Sequence, residues 1–330
     1  MADNKFLVSF SPHTRDPLTT DKVMMLVVLA LVPSILVSVY VYGFYAVKTY
    51  ALTVIFCLGL EALFLKIRKL PVTVRDNSAL VTAILLAMNM PPSPPWWLVL
   101  AGSFVAIVIS KQVFGGLGQN PFNPALVGRV FLLIAWPAEM TSWIEASTLK
   151  NGFMFDAVST ATPLGQIKSE IISSGHIVST GMADVTDLFL GTVSGCLGGD
   201  SAIAVLIGGL FLIWKRIIKW HIPFTYLATV FVLTGLYWLI SPEKTLSPVQ
   251  HLLAGGLMLG AFFMATDYVT CPMTIKGQVL FGFGCGLLTV VIRLFGGYPE
   301  GVAFSILIMN AVTPLIDNYM RPASFGEVKS

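Results

Sequence analysis

Residues 23–42 read VMMLVVLALVPSILVSVYVY, a run of twenty residues without a charged side chain. As an α-helix, about 20 apolar residues cross the roughly 30 Å hydrocarbon core of a bilayer. Similar runs recur along a chain that is 55% hydrophobic and 11% charged, whereas an average soluble domain has about 25% charged residues. The sequence therefore predicts an all-α polytopic membrane protein.

Ten apolar segments are predicted to be transmembrane helices, five before a long polar insert and five after it. They cover about 23–42, 49–67, 78–91, 97–114, 123–137, 201–219, 223–240, 249–266, 277–295 and 300–317. The predicted domains are an N-terminal segment (1–22), a first five-helix repeat (23–137), a polar insert (138–200), a second five-helix repeat (201–317) and a C-terminal segment (318–330).

The distribution of basic residues predicts the orientation. With both termini in the cytoplasm, fourteen of the twenty Lys and Arg residues fall on the inner side and five on the outer side, and Arg129 remains within a span. This is the positive-inside bias of membrane proteins. The polar insert is therefore expected outside the cytoplasm.

Residues 1–22 have no apolar core with a cleavage site, so we expect no removable signal peptide. The net charge of +3 follows from this topology and requires no nucleic-acid partner.

The two halves are related by an internal repeat. A shift of 181 residues places Pro91 on Pro272 and Phe114–Gly116 on Phe295–Gly297. Because each half has an odd number of spans, the second copy enters the membrane from the opposite side, which predicts two inverted five-helix repeats. Such folds place binding sites where interrupted helices meet.

Proline and polar residues interrupt the apolar pattern at 88–95 and at 266–272. Proline removes a backbone donor and clashes with the preceding turn, so both segments are expected to end a helix. Ordinary loops would explain these breaks equally well. In the second break, Asp267 lies beside two threonines, which makes it a weak candidate for an ion site.

A third polar segment, GGLGQNPFNP at 115–124, supplies flexible backbone and amide side chains. Gly115, Gly116, Asn120 and Asn123 are candidates for binding a polar aromatic ligand or a cation. A cytoplasmic turn is the alternative. The spacing of the glycines is not that of a phosphate-binding loop, and no strand precedes them.

Two arginines fall within or at the end of apolar segments. Arg129 lies inside a span, where a charge is costly and is usually paired or functional. Arg293 is expected to pair with Glu300 across an outer turn, in a structural role.

Neither cysteines nor histidines indicate a metal centre. Their spacing contains no close pair, so neither a cysteine-ligated zinc nor a complete iron–sulfur cluster is predicted, although one cluster ligand shared with a partner is not excluded. These residues are Cys57, Cys196, Cys271, Cys285, His13, His176, His221 and His251.

Within the polar insert, DAVSTAT at 156–162 combines small and hydroxyl-bearing residues with one carboxylate. Its alcohols are available for modification, and Asp156 offers a contact for a metal or for a modifying enzyme. Taken alone, the segment is also compatible with a serine- and threonine-rich loop without a cofactor.

Several separated motifs in order carry a resemblance to a known family over essentially the whole chain. They are SPH at 11–13, GGLGQNPFNPA at 115–125, DAVSTAT at 156–162, MATDYVTCP at 264–272, YPEGVAF at 298–304, and Met309 with Asn310. The chain resembles the RnfD/NqrB family, closest to the D subunits of Rnf ion-translocating ferredoxin:NAD oxidoreductases. The B subunits of sodium-pumping NADH:quinone oxidoreductases are more distant and usually carry an N-terminal extension.

The resemblance implies that DAVSTAT is a flavinylation motif modified by a flavin transferase outside the cytoplasm. Thr162 is then the acceptor, its hydroxyl joined to the FMN phosphate, while Asp156, Ser159, Thr160 and Ala161 complete the motif. Thr160 is a competing hydroxyl, but the family spacing favours Thr162.

The resemblance further implies a non-covalent riboflavin, for which the segment from Gly115 to Asn123 is the candidate. It places the chain in the inner membrane of a bacterium, among the other subunits of an Rnf complex. That complex moves electrons between ferredoxin and NAD and couples the transfer to sodium or proton movement.

Two alternatives remain. A quinone-reducing subunit of the NqrB type shares the motifs, and inverted repeats with broken helices also occur in channels and secondary transporters. Covalent flavin fluorescence separates a transporter from both flavin-carrying alternatives.

Overall fold

The structure is a computed structural model and describes residues 18–146, 159–177, 184–199 and 201–321. Helices dominate this part of the chain. They are α1 (Thr20–Tyr42), α2 (Phe44–Ile67), α3 (Ser78–Met88), α4 (Trp96–Phe104), α5 (Pro124–Ala135), α6 (Pro137–Met140), α7 (Pro163–Ser174), α8 (Val185–Leu190), α9 (Ala202–Trp214), α10 (His221–Ile240), α11 (Pro248–Leu253), α12 (Leu257–Leu259), α13 (Ile275–Phe295) and α14 (Val302–Tyr319). Two short strands, β1 (Trp143–Ile144) and β2 (Ser159–Thr160), pair antiparallel.

Some of these helices continue in other helical forms. The α4 helix runs on as a π-helix over Val105–Gln112, and α12 does so over Gly260–Met264. Short 3₁₀ turns cover Val74–Asp76 and Pro242–Lys244.

The prediction of an all-α polytopic membrane protein is confirmed, because each of the ten apolar segments contains a helix. In the described part of the chain, α1, α2, α10, α13 and α14 are long and apolar enough to cross a bilayer alone. A sixth candidate is the broken span Pro242–Leu253 with Leu257–Met264, bent by 47°. The remaining four apolar helices have 10–17 residues.

Both interruptions predicted from the sequence are present. The α3 helix ends at Met88 and α4 begins only at Trp96, while the π-helix after α12 ends at Met264 and α13 begins at Ile275. The polar segments between them therefore lie at the ends of buried helices.

Helix packing follows the same pattern in the two halves. In the first half α2 packs on α3 and α4, and the π-helix after α4 packs on α5. In the second half α10 packs on α11 and α13, and α13 packs on α14. The α1 and α9 helices, which begin the halves, pack against each other. This pattern agrees with the internal repeat, while the membrane orientation and the domain boundaries stay predictions.

The described part of the polar insert contains regular structure in addition to loops. The β1–β2 pair and the α7 and α8 helices lie in it. Leu164 and Ile167 of α7 are buried in the main hydrophobic core. The α7 helix is therefore docked on the membrane-embedded body instead of projecting from it.

Gly208 lies where α9 crosses α1, and substituting it tests this contact. A Cβ there would overlap the carbonyl oxygen of Ala30 and lie 3.0 Å from the ring of Phe263. We expect Gly208→Ala to destabilise the protein by about 1–3 kcal/mol, as overpacked cores do. Thermal unfolding of the detergent-solubilised protein measures the loss.

The matched control is Gly59→Ala in α2, where no atom outside the helix lies within 4 Å of the added Cβ. Because alanine favours helix by about 1 kcal/mol over glycine, this variant should be as stable as the parent or slightly more so. Equal melting temperatures for the two variants would contradict the tight α1–α9 crossing.

Candidate functional site

Thr162 is the N-cap of α7. Its backbone is extended, and its Oγ1 accepts a hydrogen bond from the N–H of Gly165 at 3.2 Å. The side chain is only 6% exposed. A Cβ at position 165 would lie 3.1 Å from this oxygen, so a glycine there leaves room around the hydroxyl.

The residues just before Thr162 are held by the small sheet, in which Thr160 pairs with Trp143 and Ser159 with Ile144. The Oγ1 atom of Thr160 is buried and has no hydrogen-bond partner among the described residues. Ala161 is exposed. Asp156 and the side chain of Ser159 lie outside the described residues, so their predicted roles stay predictions.

The side chain of Thr162 lines a small cleft. Gly195, Gly199, Gly255 and Glu300 contribute to its opposite walls. Gly255 has φ +69°, and a Cβ there would lie 3.0 Å from Glu300 Oε1. Both the left-handed backbone and the lack of space therefore favour glycine at this position. The cleft thus joins a helix N-terminus, a hydroxyl and glycine-lined space. Backbone N–H groups and the helix dipole at such an N-terminus favour a phosphate, so these residues fit a flavin joined through its phosphate.

A line of buried polar groups continues from this cleft toward the centre of the molecule. Glu300 forms an ion pair with Arg129 Nη2, and Arg129 Nη1 donates to Asn89 Oδ1 at 2.5 Å. Asn89 Nδ2 lies 3.6 Å from the sulfur of Met264. The carbonyl oxygen of Met264 accepts from Asn123 Nδ2 at 3.2 Å. This line of polar groups therefore reaches from the Thr162 cleft to Asn123 in the polar segment 115–124.

The predicted Arg293–Glu300 pair is wrong. Glu300 lies two residues before α14, which packs on α5, and this contact between the two halves brings the carboxylate to Arg129. Arg293 instead donates to the carbonyl oxygens of His251 and Ala254, at 2.6 and 3.0 Å. The sequence separation of seven residues favoured the local partner, but helix packing selects the distant one.

A cavity lined by residues of both halves, called the central cavity below, brings together Asn120, Asn123 and Asp267. Its walls are mainly apolar, with contributions from Phe262 and Phe263. Concave, mostly apolar sites with a few polar groups are typical of small-molecule binding. Two separate sequence candidates, the amide-rich segment and the aspartate after the second break, therefore line one site.

Gly115 and Gly116 lie outside the lining of this cavity. Both have left-handed backbones, with φ +119° and +93°, so glycine suits the turn that follows the π-helix. These two predicted binding residues therefore shape the turn and do not line the cavity.

Asp267 lines the cavity and accepts a hydrogen bond from Thr270 Oγ1 at 3.2 Å. Among the described residues, no group of three or more His, Cys, Asp and Glu side chains could hold a metal ion together. Its role at an ion site stays a prediction.

The sequence reasoning missed a second buried ion pair. Lys111 Nζ donates to Glu61 Oε1 at 2.7 Å and to Ser78 Oγ at 2.6 Å, and Gln112 Nε2 donates to the same carboxylate oxygen at 2.6 Å. The sequence placed Lys111 at an inner helix end, whereas it is 2% exposed and lies in the π-helix after α4. The available signal was Glu61, an acid inside an apolar run, where ionisable residues are usually paired.

Known proteins share this sequence pattern along nearly the whole chain. Residues 7–326 match the model of the NQR2, RnfD, RnfE family. The chain belongs to this family. A family member from Acetobacterium woodii, the D subunit of the Na(+)-translocating ferredoxin:NAD(+) oxidoreductase complex, is 46% identical over 331 residues, which cover 100% of this chain and 98% of the relative.

Two further NQR2/RnfD/RnfE proteins extend the comparison. The D subunit of the proton-translocating ferredoxin:NAD(+) oxidoreductase complex of Clostridium ljungdahlii is 46% identical, covering 98% of this chain and 97% of its own. The D subunit of the ion-translocating oxidoreductase complex of Cronobacter sakazakii is 42% identical, covering 97% and 99%. The predicted family is confirmed.

Proposed function

We propose that this chain is the membrane-embedded D subunit of an ion-translocating ferredoxin:NAD oxidoreductase complex and that it carries FMN on Thr162, joined through a phosphoester. The names of the relatives support the complex. One observation supports the attachment site above all others. The Thr162 hydroxyl lies at the N-terminus of the 12-residue α7 helix and lines a glycine-rich cleft.

Thr162 Oγ1 would be the ester oxygen. The Gly165 N–H lies 3.2 Å from it, and the positive end of the α7 dipole favours the phosphate charge. When bound, FMN supplies the electron-relay chemistry, while the protein supplies position and electrostatic tuning. Asp156, Ser159, Thr160 and Ala161 complete the motif that the flavin transferase recognises.

Burial of Thr162 has a consequence for the modification. Its side chain is 6% exposed with α7 docked, so the transferase requires this segment to be undocked or not yet docked. Attachment is therefore expected before the insert packs onto the membrane-embedded body.

The proposal places a non-covalent riboflavin in the central cavity, where Asn120, Asn123 and Asp267 supply polar groups between apolar walls. The Glu300–Arg129–Asn89 line connects this cavity with the Thr162 cleft. Both flavin sites then belong to one continuous polar path through the protein.

The chain works in the inner bacterial membrane with other complex subunits, both termini facing the cytoplasm. The coupling ion does not follow from family membership. Relatives named for Na⁺ and for proton translocation are both 46% identical to this chain.

The test of the proposal uses the intact complex in sealed membrane vesicles, supplied with reduced ferredoxin and NAD. We expect NADH formation together with the build-up of a cation gradient. Activity with NADH and quinone, without ferredoxin dependence, would assign the complex to the quinone-reducing alternative. A chain that lacks flavin and still moves solute would support a transporter.

A further inference from the structure

A large cavity beside α7 belongs to neither flavin site. It has a volume of about 390 Å³ and lies between α7, the chain after α10, and the C-terminal end of α13. Leu164 lines both this cavity and the Thr162 cleft. Its polar lining includes Lys168, Lys244, His251 and Arg293. Among the described residues no aspartate or glutamate lines it, so the charged side chains of this lining are all basic.

The two lysines and the arginine form no ion pair among the described residues. Lys168 Nζ donates to the carbonyl oxygens of Arg293 and Tyr298, at 3.3 and 2.8 Å. Arg293 likewise donates only to carbonyl oxygens, and Lys244 is exposed. The ion pairs among the described residues are Lys111–Glu61 and Arg129–Glu300. The Glu300 carboxylate is therefore already paired with Arg129.

Two buried atoms on the cavity wall lack partners. Arg293 Nε and His251 Nδ1 have no hydrogen-bond partner among the described residues, although these residues are only 6% and 4% exposed. Most buried polar groups in proteins are satisfied, so an unpartnered pair calls for a ligand or water. Burial also lowers the pKa of Lys168, an effect that a bound anion would oppose.

The rest of the cavity is apolar and opens where two spanning helices end. Phe295 at the end of α13 is 72% exposed, and Ile172 of α7 is 78% exposed. Both line the cavity. At the end of α10, Leu239 and Ile240 are 73% and 79% exposed. The ends of spanning helices lie at the level of the lipid headgroups, so the mouth faces the region where a headgroup and its acyl chains meet.

We propose that this cavity binds the headgroup of an anionic phospholipid, with the phosphate at Lys168, Lys244 and Arg293. The acyl chains lie along the exposed apolar ends of α10 and α13. An anionic headgroup would neutralise the charge of the buried Arg293 guanidinium. The flavin attached at Thr162 starts from a different cleft, because the Thr162 side chain does not line this cavity.

The experiment compares lipid retention by the detergent-purified complex, using native mass spectrometry after titration with phosphatidylglycerol or phosphatidylcholine of the same acyl chains. We expect one tightly held phosphatidylglycerol on this chain and no equivalent phosphatidylcholine. Each surface cation contributes roughly fivefold to the affinity for anionic lipid. The Lys168→Gln/Lys244→Gln variant should therefore bind phosphatidylglycerol about 30-fold more weakly.

The matched control is Lys48→Gln, since Lys48 is also exposed and is predicted to lie on the same side of the membrane. It should retain the lipid fully. Lys244→Gln alone removes only an exposed charge, leaves folding intact, and should weaken binding about fivefold. Equal retention of the two lipids, or unchanged phosphatidylglycerol affinity in both Lys244 variants, would overturn the proposal. A crosslink between the flavin ring and Phe295 would also overturn it, because the flavin would then occupy this cavity.

Discussion

Replacing Thr162 by alanine is expected to abolish the covalent flavin fluorescence of this chain on a denaturing gel. The substitution removes the oxygen at which we propose that the phosphoester forms. Alanine also removes the N-cap of α7, in which Oγ1 accepts from Gly165. Loss of a cap costs about 0.5–2 kcal/mol, so alanine alone would not separate a lost acceptor from a loosened helix.

Asparagine and serine at the same position separate the two effects. Thr162→Asn retains a good cap but has no hydroxyl, so the gel should be dark although α7 remains docked. Thr162→Ser retains both the cap and a hydroxyl and should stay fluorescent. Flavin released by denaturation measures the non-covalent riboflavin, which should be unchanged in all three variants.

Thr160 is the control within the motif. Its hydroxyl is two residues from Thr162 and is buried without a partner among the described residues, so it is the competing acceptor. Thr160→Ala should keep the covalent fluorescence. A fluorescent Thr162→Asn variant, or a peptide mass addition on Thr160, would show that the attachment site is assigned to the wrong residue.

The sequence predicted the helices well because their physical signal is local. Apolar runs between Pro- and Gly-rich segments define helices such as α3 and α13, whose ends at Met88 and Ile275 follow the predicted breaks. The α7 helix was not predicted, although a local signal for it was present: Thr162 is a typical N-cap residue and Pro163 a typical first helical residue. In such cases neighbouring residues decide the structure.

The candidate sites were less predictable, because they are built by helices that are distant in the chain. Asn123 and Asp267 line one cavity, although no local pattern connects them. The Arg293–Glu300 pair was wrong for the same reason: proximity in sequence was used where packing of α5 on α14 decides. Glu61 and Lys111 each lie in apolar runs, but only the contact of α2 with the π-helix after α4 identifies them as partners.

Breaking the Arg129–Glu300 pair is expected to lower the stability of the protein strongly. It joins α5 of the first half to the residue two positions before α14 of the second, and the two side chains are 8% and 15% exposed. Removing one partner of a buried pair leaves an uncompensated charge and costs about 3–5 kcal/mol. We therefore expect Arg129→Met and Glu300→Leu each to lower the free energy of unfolding by this amount, measured by denaturant titration of the solubilised protein.

Comparing the stability of the double variant with that of the single variants tests whether the two side chains act as a pair. With both charges replaced by apolar side chains, no buried charge remains, and such replacements are often close to neutral in stability. Arg129→Met/Glu300→Leu should therefore be more stable than either single variant, so the two losses are not additive. Glu243→Gln, which changes an exposed acid, should stay within about 0.5 kcal/mol of the parent. Additive losses in the double variant would mean that the two side chains contribute independently. The contact between the halves would then depend on apolar packing alone, and the polar groups from Thr162 to the central cavity would not act as a coupled unit.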